Sequence, residues 1–95
     1  MAKRLIVSKR ADIDIERIIE FNDERNQSDT YSRKFIRRLF EQFDLLKLNP
    51  LLGKPLRKKG DYILIWDQYY IYYSYDGNHI NITAIYHQRE NAPEL

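Results

Sequence analysis

Between Leu48 and Tyr62 the spacing of apolar residues changes from helical to strand-like. Upstream, Tyr31, Phe35, Leu39, Phe43 and Leu46 recur every three or four residues, the period of one face of a helix. Downstream, DYILIW, YYIYYSY and HINITAIYH follow a period of two, which puts neighbouring side chains on opposite faces of a strand. Asn49-Pro50 marks the change, because proline disfavours helical geometry in the residue before it. Helices gathered ahead of a three-strand meander make an α+β domain.

The first half completes the helical part. Leu5, Ile6 and Val7 form a short apolar run suited to a buried strand, and Ser8 is placed to cap a helix. Ala11, Ile15, Ile18, Ile19 and Asn22 then recur at helical spacing. Asp12, Asp14 and Glu16 load the first turns with negative charge, which suits the helix dipole. The acids lack a histidine or a further carboxylate at loop spacing, so no metal site is expected. Asn26 to Asp29 is a polar break, with Ser28 or Asp29 available to cap a second helix. That helix carries the apolar stripe on one side and Arg33, Lys34, Arg37 and Arg38 on another. Arg37 and Glu41 stand at i,i+4, a pairing that contributes only about 0.3–0.5 kcal/mol. A break this short predicts an antiparallel hairpin.

In the second half, LLGKPLRKKG reads as a loop with a basic tip. Tyr62, Leu64 and Trp66 should point one way, Ile63 and Ile65 the other. Asp67-Gln68 is placed for a tight turn, and Asp76-Gly77 is a hairpin signal because both residues tolerate the positive φ of a primed turn. In the last strand Ile80, Ile82, Ala84 and Tyr86 share one face, and His79, Asn81, Thr83, Ile85 and His87 the other. The alternation predicts one face on the core and one face open. Three strands are too few to bury both helices, so the N-terminal strand should join them. The expected architecture is β-α-α-β-β-β: a helical hairpin on one face of a small, mainly antiparallel four-stranded sheet.

Composition narrows the function classes. The 95 residues suit a single domain spanning 1–95. Cysteine is absent, which removes disulfides, thiolate nucleophiles and zinc–thiolate sites. MAKRLIVSKR holds too short an apolar run for a signal peptide or membrane span, so a cytoplasmic location with no membrane partner is expected. No Gly-rich phosphate loop or nucleophile elbow is present, and no cofactor is expected. The net charge is +2, with every Lys and Arg except Arg89 before position 60. Lys54, Arg57, Lys58 and Lys59 form either a solvated loop or a contact for phosphate or an acidic partner.

Three stretches together carry a resemblance: VSKRADIDIERIIEF opening the first helix, KLNPLLGKPLR leaving the second, and YYIYYSYDGNHINITAIYHQREN closing the sheet. The chain resembles the RelE/ParE superfamily of toxins from type II toxin–antitoxin systems over nearly its whole length. The resemblance implies a small toxin, in the plasmid-stabilisation manner, held silent by a cognate antitoxin and reaching operator DNA only through it. One branch of the superfamily cuts mRNA on the ribosome. The other, ParE-like branch poisons DNA gyrase and is not a nuclease. An inactive member that only binds its antitoxin is a third reading.

Metal-independent RNA cleavage needs a general base, cationic clamps and a general acid. The candidates for those roles are His87, Arg89 and Tyr86, with Tyr73, Lys54 and Arg57 in support. Lys54, Arg57, Lys58 and Lys59 are candidates for target or nucleic-acid contact, and Arg33, Arg37 and Trp66 for antitoxin contact. Against cleavage, residues 62–87 contain no lysine or arginine. Tyr86 and His87 also face opposite ways unless a bulge intervenes, and a charge of +2 is low for docking into ribosomal RNA. The plainer reading of His87 and Arg89 is a solvated strand end tied to Glu90 or a backbone carbonyl. The ParE-like reading, a gyrase-binding growth inhibitor, is therefore favoured over an mRNA interferase.

Overall fold

The computed structural model describes residues 3–90. The elements run β1 (Arg4–Val7), α1 (Lys9–Asn26), α2 (Thr30–Leu48), β2 (Lys54–Pro55), β3 (Asp61–Trp66), β4 (Tyr69–Tyr75) and β5 (His79–His87). Ser8 caps α1 through its hydroxyl, which accepts the Ala11 N–H at 3.0 Å. Gln27, in left-handed geometry at φ 51°, closes the helix. Asp29 occupies the N-cap of α2 without a side-chain cap bond; its carboxylate is taken by Arg33 at 2.8 Å. That ion pair forms on the basic face of α2, and the expected Arg37–Glu41 pair does not.

The sheet has five strands in the order β1-β5-β4-β3-β2, with β1 parallel to β5 and the other pairs antiparallel. The N-terminal strand joins the meander as expected. The fifth strand is the difference: Lys54 and Pro55, within the segment expected to be a loop, pair with Ile63 and Tyr62. Two residues are too few to show an alternation, and a proline there is tolerated because β2 lies at the sheet edge.

Phe35, Leu39, Phe43 and Leu46 of α2 bury the stripe against Leu64, Ile71, Tyr73, Ile80, Ile82 and Ile85. Fully burying one such aliphatic side chain contributes about 1.5–3 kcal/mol. These four positions of the stripe are core, as its period implied, whereas Tyr31 at its head is exposed. From α1 the buried row is Ala11, Asp14, Ile18 and Asn22. Asn22 was on the expected row; Asp14 departs from the expected reading, in which it was an ordinary first-turn acid.

β5 does not keep the predicted alternation. Tyr73 pairs with Ile82, yet Tyr72 pairs with Ala84, so Thr83 is an extra residue. This bulge reverses the faces beyond it. Ile80 and Ile82 point to the helices, and so do Ile85 and His87, which pair with Ile71 and Tyr69 on that side. Ala84 and Tyr86 move to the open face with Tyr72 and Tyr70.

The loop after α2 is pinned to the sheet by one phenol. Tyr73, buried at 1% exposure, donates to the Pro50 carbonyl at 2.7 Å and accepts the Gly53 N–H at 2.9 Å. A Cβ on Gly53 would lie 2.7 Å from the Ile63 carbonyl oxygen and 2.8 Å from the Tyr73 hydroxyl. The spacing N-P-x-x-G is a packing requirement.

Candidate functional site

α1 starts where β1 ends and runs beside β5 past the point where β1 stops pairing with it. Beyond Ile82 the outer edge of β5 has no strand neighbour, and side chains of α1 take its place. Asp14, 3% exposed, accepts the Ile85 N–H at 3.0 Å. Arg17 Nη2 donates to the Ile85 carbonyl at 3.2 Å. Asp14 in turn accepts from Arg10 Nε at 3.2 Å and Arg17 Nη2 at 3.3 Å. A carboxylate and a guanidinium thus satisfy an edge that a strand would otherwise cover.

The same helix walls a cleft of about 580 Å³ at the end of β5, closed across by Tyr31 of α2 and by Gln68 and Tyr69 around the β3–β4 turn. His87 stands in it, held on several sides. Its ring meets Tyr69 edge-on, with centroids 5.3 Å apart. Its Nδ1 accepts the Arg89 N–H at 3.1 Å, so the neutral ring carries its proton on Nε2, which faces Gln68 Oε1 at 3.1 Å. Its backbone N–H donates to Glu90 at 2.9 Å, and the other Glu90 oxygen accepts Arg17 Nη1 at 2.5 Å.

Three further features shape the cleft. Asn22 lies in its wall at 8% exposure, with its amide Nδ2 buried and lacking a hydrogen-bond partner. Burial pushes the Tyr69 phenol up to about 12; nearby Asn22 opposes the rise without reaching hydrogen-bond geometry, and Tyr31 adds to it. Arg25 and Arg89 line the mouth, both exposed, and neither guanidinium has an ion-pair partner among the described residues.

On the other side of β5, Tyr86 stacks edge-on against Tyr72 at 5.8 Å. Its hydroxyl accepts from Arg10 Nη2, and the guanidinium carbons of Arg10 and Arg17 lie 5.7 and 5.8 Å from the ring centre. Asp14, by hydrogen bond and charge, holds Arg10 still more firmly in its charged form, and the Tyr86 oxygen adds to that. Tyr86 and His87 therefore belong to two different surroundings. The bulge lies upstream of both and does not bring them together.

The family profile described as "ParE toxin of type II toxin-antitoxin system, parDE" matches residues 5–92. The chain belongs to this toxin family. Among solved structures, the RelBE2 toxin–antitoxin complex from Mycobacterium tuberculosis contains a similar chain with a TM-score of 0.69 and 20% identity, covering 92% of this chain and 99% of that one. A chain of the chromosomal ParDE system from P. aeruginosa has a TM-score of 0.73 and 19% identity, covering 90% of this chain and 96% of that one. At that identity the likeness is one of fold, and it extends the expected hairpin-on-sheet architecture to both. No curated protein sequence matches significantly.

In this ParE-family chain the residues singled out by sequence are scattered. His87 and Arg89 share the cleft; Tyr86 does not line it. Lys54 sits in β2 and Arg57, Lys58 and Lys59 in the turn before β3, all exposed at the far edge of the sheet. Three strand spacings, roughly 14 Å, separate that edge from β5. Tyr73 is committed to the Pro50–Gly53 loop. Arg33 and Arg37 are exposed on α2, whereas Trp66 is half-buried between the rings of Phe35 and Tyr69 at 6.0 and 5.4 Å. Among the described residues no group of three or more histidines and carboxylates could hold a metal ion, and no helix is long and apolar enough to cross a membrane.

Sequence reasoning missed Arg10, Asp14 and Arg17 at the β5 edge and Asn22, Arg25 and Gln68 in the cleft. One signal was present. Asp14 falls between Ala11 and Ile18 on the buried row, where an unpaired carboxylate is not tolerated, so it had to have a partner.

Proposed function

We propose that this ParE-family toxin arrests growth by binding DNA gyrase rather than by cutting RNA. The observation that carries this reading is the state of His87. Both ring nitrogens are engaged, Nδ1 by the Arg89 amide and Nε2 by Gln68, and the phenol of Tyr86 lies on the opposite face. A general acid–base pair needs both groups within reach of one phosphate. The strands β3, β4 and β5 supply no lysine or arginine to clamp it. The test is a gyrase supercoiling assay with purified toxin. Loss of supercoiling as toxin is added supports the reading; full supercoiling at large molar excess overturns it.

A ribosome-dependent endonuclease is favoured by a different observation, the Tyr86 hydroxyl bound by Arg10 with Arg17 beside the ring. That is a phenol with adjoining cations on the open side of the sheet. Toeprinting on translating ribosomes decides it: A-site cuts that vanish in Tyr86→Phe support cleavage, and a clean toeprint removes it.

The partner is an antitoxin that covers the exposed apolar surface of the hairpin. Phe40, Leu45 and Leu48 of α2 and Leu51 and Leu52 after it are all exposed, Leu48 at 72%, and a patch of this kind marks a contact surface. Arg33 and Arg37 on the same helix would meet acidic residues of the partner. Leu48→Asp should weaken the complex in a pull-down while leaving the toxin's melting temperature unchanged.

A further inference from the structure

The cleft at the end of β5 holds donors that nothing among the described residues consumes. It is lined by three arginines, Arg17, Arg25 and Arg89, against one carboxylate, Glu90. Glu90 is spent, with one oxygen on Arg17 and the other on the His87 amide. Arg25 and Arg89 are left without a counter-charge among the described residues. Asn22 adds a buried amide Nδ2 that makes no hydrogen bond among the described residues, although the Tyr69 hydroxyl lies beside it, and a buried donor of that kind is uncommon in a native protein. Among the described residues, what Arg25 and Arg89 lack is an anionic acceptor.

The shape and walls define the rest. A volume of about 580 Å³ falls within the range that holds a compact organic ligand, about 300–1,000 Å³. The rings of Phe21 and Tyr31 stand at the mouth, exposed at 61% and 45%. Exposed aromatic rings beside guanidinium groups favour a flat ring carrying an anion. Each guanidinium fork is best satisfied by two oxygens. A carboxylate has only two, whereas a phosphate monoester offers three to two arginines.

We infer that this cleft is a binding site for a small aryl or heteroaryl phosphate monoester of mononucleotide size, its phosphate held by Arg25 and Arg89 and its ring laid against Phe21 and Tyr31. An acceptor atom on the ring gives Asn22 the partner it lacks. This site goes beyond the growth-arrest reading and is independent of the toxin's target.

The probes are AMP, adenosine and inorganic phosphate, titrated into the full chain and followed by calorimetry and by amide NMR. AMP is expected to bind saturably and to shift the resonances of Asn22, Arg25 and Arg89, with adenosine and phosphate each much weaker. Arg25→Gln and Arg89→Gln should each weaken AMP by about tenfold. Both side chains are exposed and without an ion pair among the described residues, so the unliganded melting temperature should not move. Phe21→Ala should weaken AMP and adenosine alike, and Glu41→Gln, at an exposed α2 position that does not line the cleft, should change neither. The assignment fails if AMP binds no better than adenosine, or if neither arginine variant weakens it. It also fails if a 5′-phosphorylated RNA oligonucleotide binds while AMP does not, because the cleft would then be part of a nucleic-acid groove.

Discussion

The carboxylate of Asp14 accepts the backbone N–H of Ile85 across 71 positions of sequence, at 3.0 Å. Through this bond α1 does for the upper part of β5 what β1 does for its lower part. An edge with free N–H and C=O groups is otherwise a template for pairing with another chain. Asp14 therefore ties the helical hairpin to the strand that ends in the cleft, and the position of His87 depends on it.

Removing that carboxylate should be costly. Asp14→Ala leaves the Ile85 amide unpaired and takes from Arg10 and Arg17 their shared anion. Both arginines are substantially exposed, at 59% and 40% of their side chains, so water recovers much of their loss. The amide does not have that recourse. The expected destabilisation is about 2–3 kcal/mol. Asp14→Asn keeps an acceptor oxygen and should lose less. Chemical denaturation of the two variants checks the order; equal losses would show that charge, not the acceptor, is what matters.

Tyr73 predicts a second pair of effects. Its hydroxyl holds both the Pro50 carbonyl and the Gly53 N–H, and burial pushes its phenol pKa up, with the Gly53 bond opposing. Tyr73→Phe keeps the ring stacked on Tyr62 at 5.3 Å but orphans two backbone groups, which should cost about 1–3 kcal/mol. Gly53→Ala drives a methyl into the Ile63 carbonyl and the same hydroxyl, and should destabilise further. Melting temperatures rank them. If Gly53→Ala proved harmless, the loop would be free to shift and would not be pinned as described.

The sequence reveals the elements more readily than their faces. Period and punctuation placed both helices, the meander and the cap at Ser8, because each depends on neighbours within a few positions. The bulge at Thr83 depends on pairing with β4 and leaves no trace in HINITAIYH, so every side chain from Ala84 onward was assigned to the wrong face. β2 was missed because two residues have no period. The cleft was legible in part: His87 and Arg89 are at its edge, but Asn22, Arg25 and Gln68 reach it from α1 and the β3–β4 turn. Only the tertiary fold brings those together.

The β4–β5 hairpin has a pH dependence of its own. Asp76 Oδ1 accepts the N–H groups of His79 at 2.7 Å and Asn78 at 2.8 Å. These bonds, the one from His79 first, lower its pKa below the ordinary 3.8. A carboxylate whose pKa falls on folding stabilises the native state above its unfolded value, and that contribution is lost as the pH drops through the folded value. Asp76→Ala should therefore melt lower than the parent at neutral pH, and the gap should narrow as the pH falls below 3.8. Circular dichroism melts over a pH series read this directly. A gap that stays constant into acid would assign the effect to the turn's backbone rather than to the charge.

His87 separates the two growth-arrest mechanisms by size of effect. General acid–base catalysis contributes about 10²–10⁴-fold, so a nuclease that used this ring would lose nearly all toxicity in His87→Ala. If the ring instead props the strand end through Gln68, Tyr69 and the Arg89 amide, removing it loosens residues 87–90 without touching a chemical step. Glu90 still accepts the residue-87 backbone N–H, since that bond does not use the ring. His87→Ala should then retain growth arrest within a few-fold when expressed without antitoxin, with a modest fall in melting temperature. His87→Gln, which keeps a polar side chain, should recover part of that stability and leave toxicity where it was. Growth curves with titrated induction of each variant check both halves. A toxicity loss of a hundredfold or more with an unchanged melting temperature would place His87 in a reaction and overturn the gyrase reading.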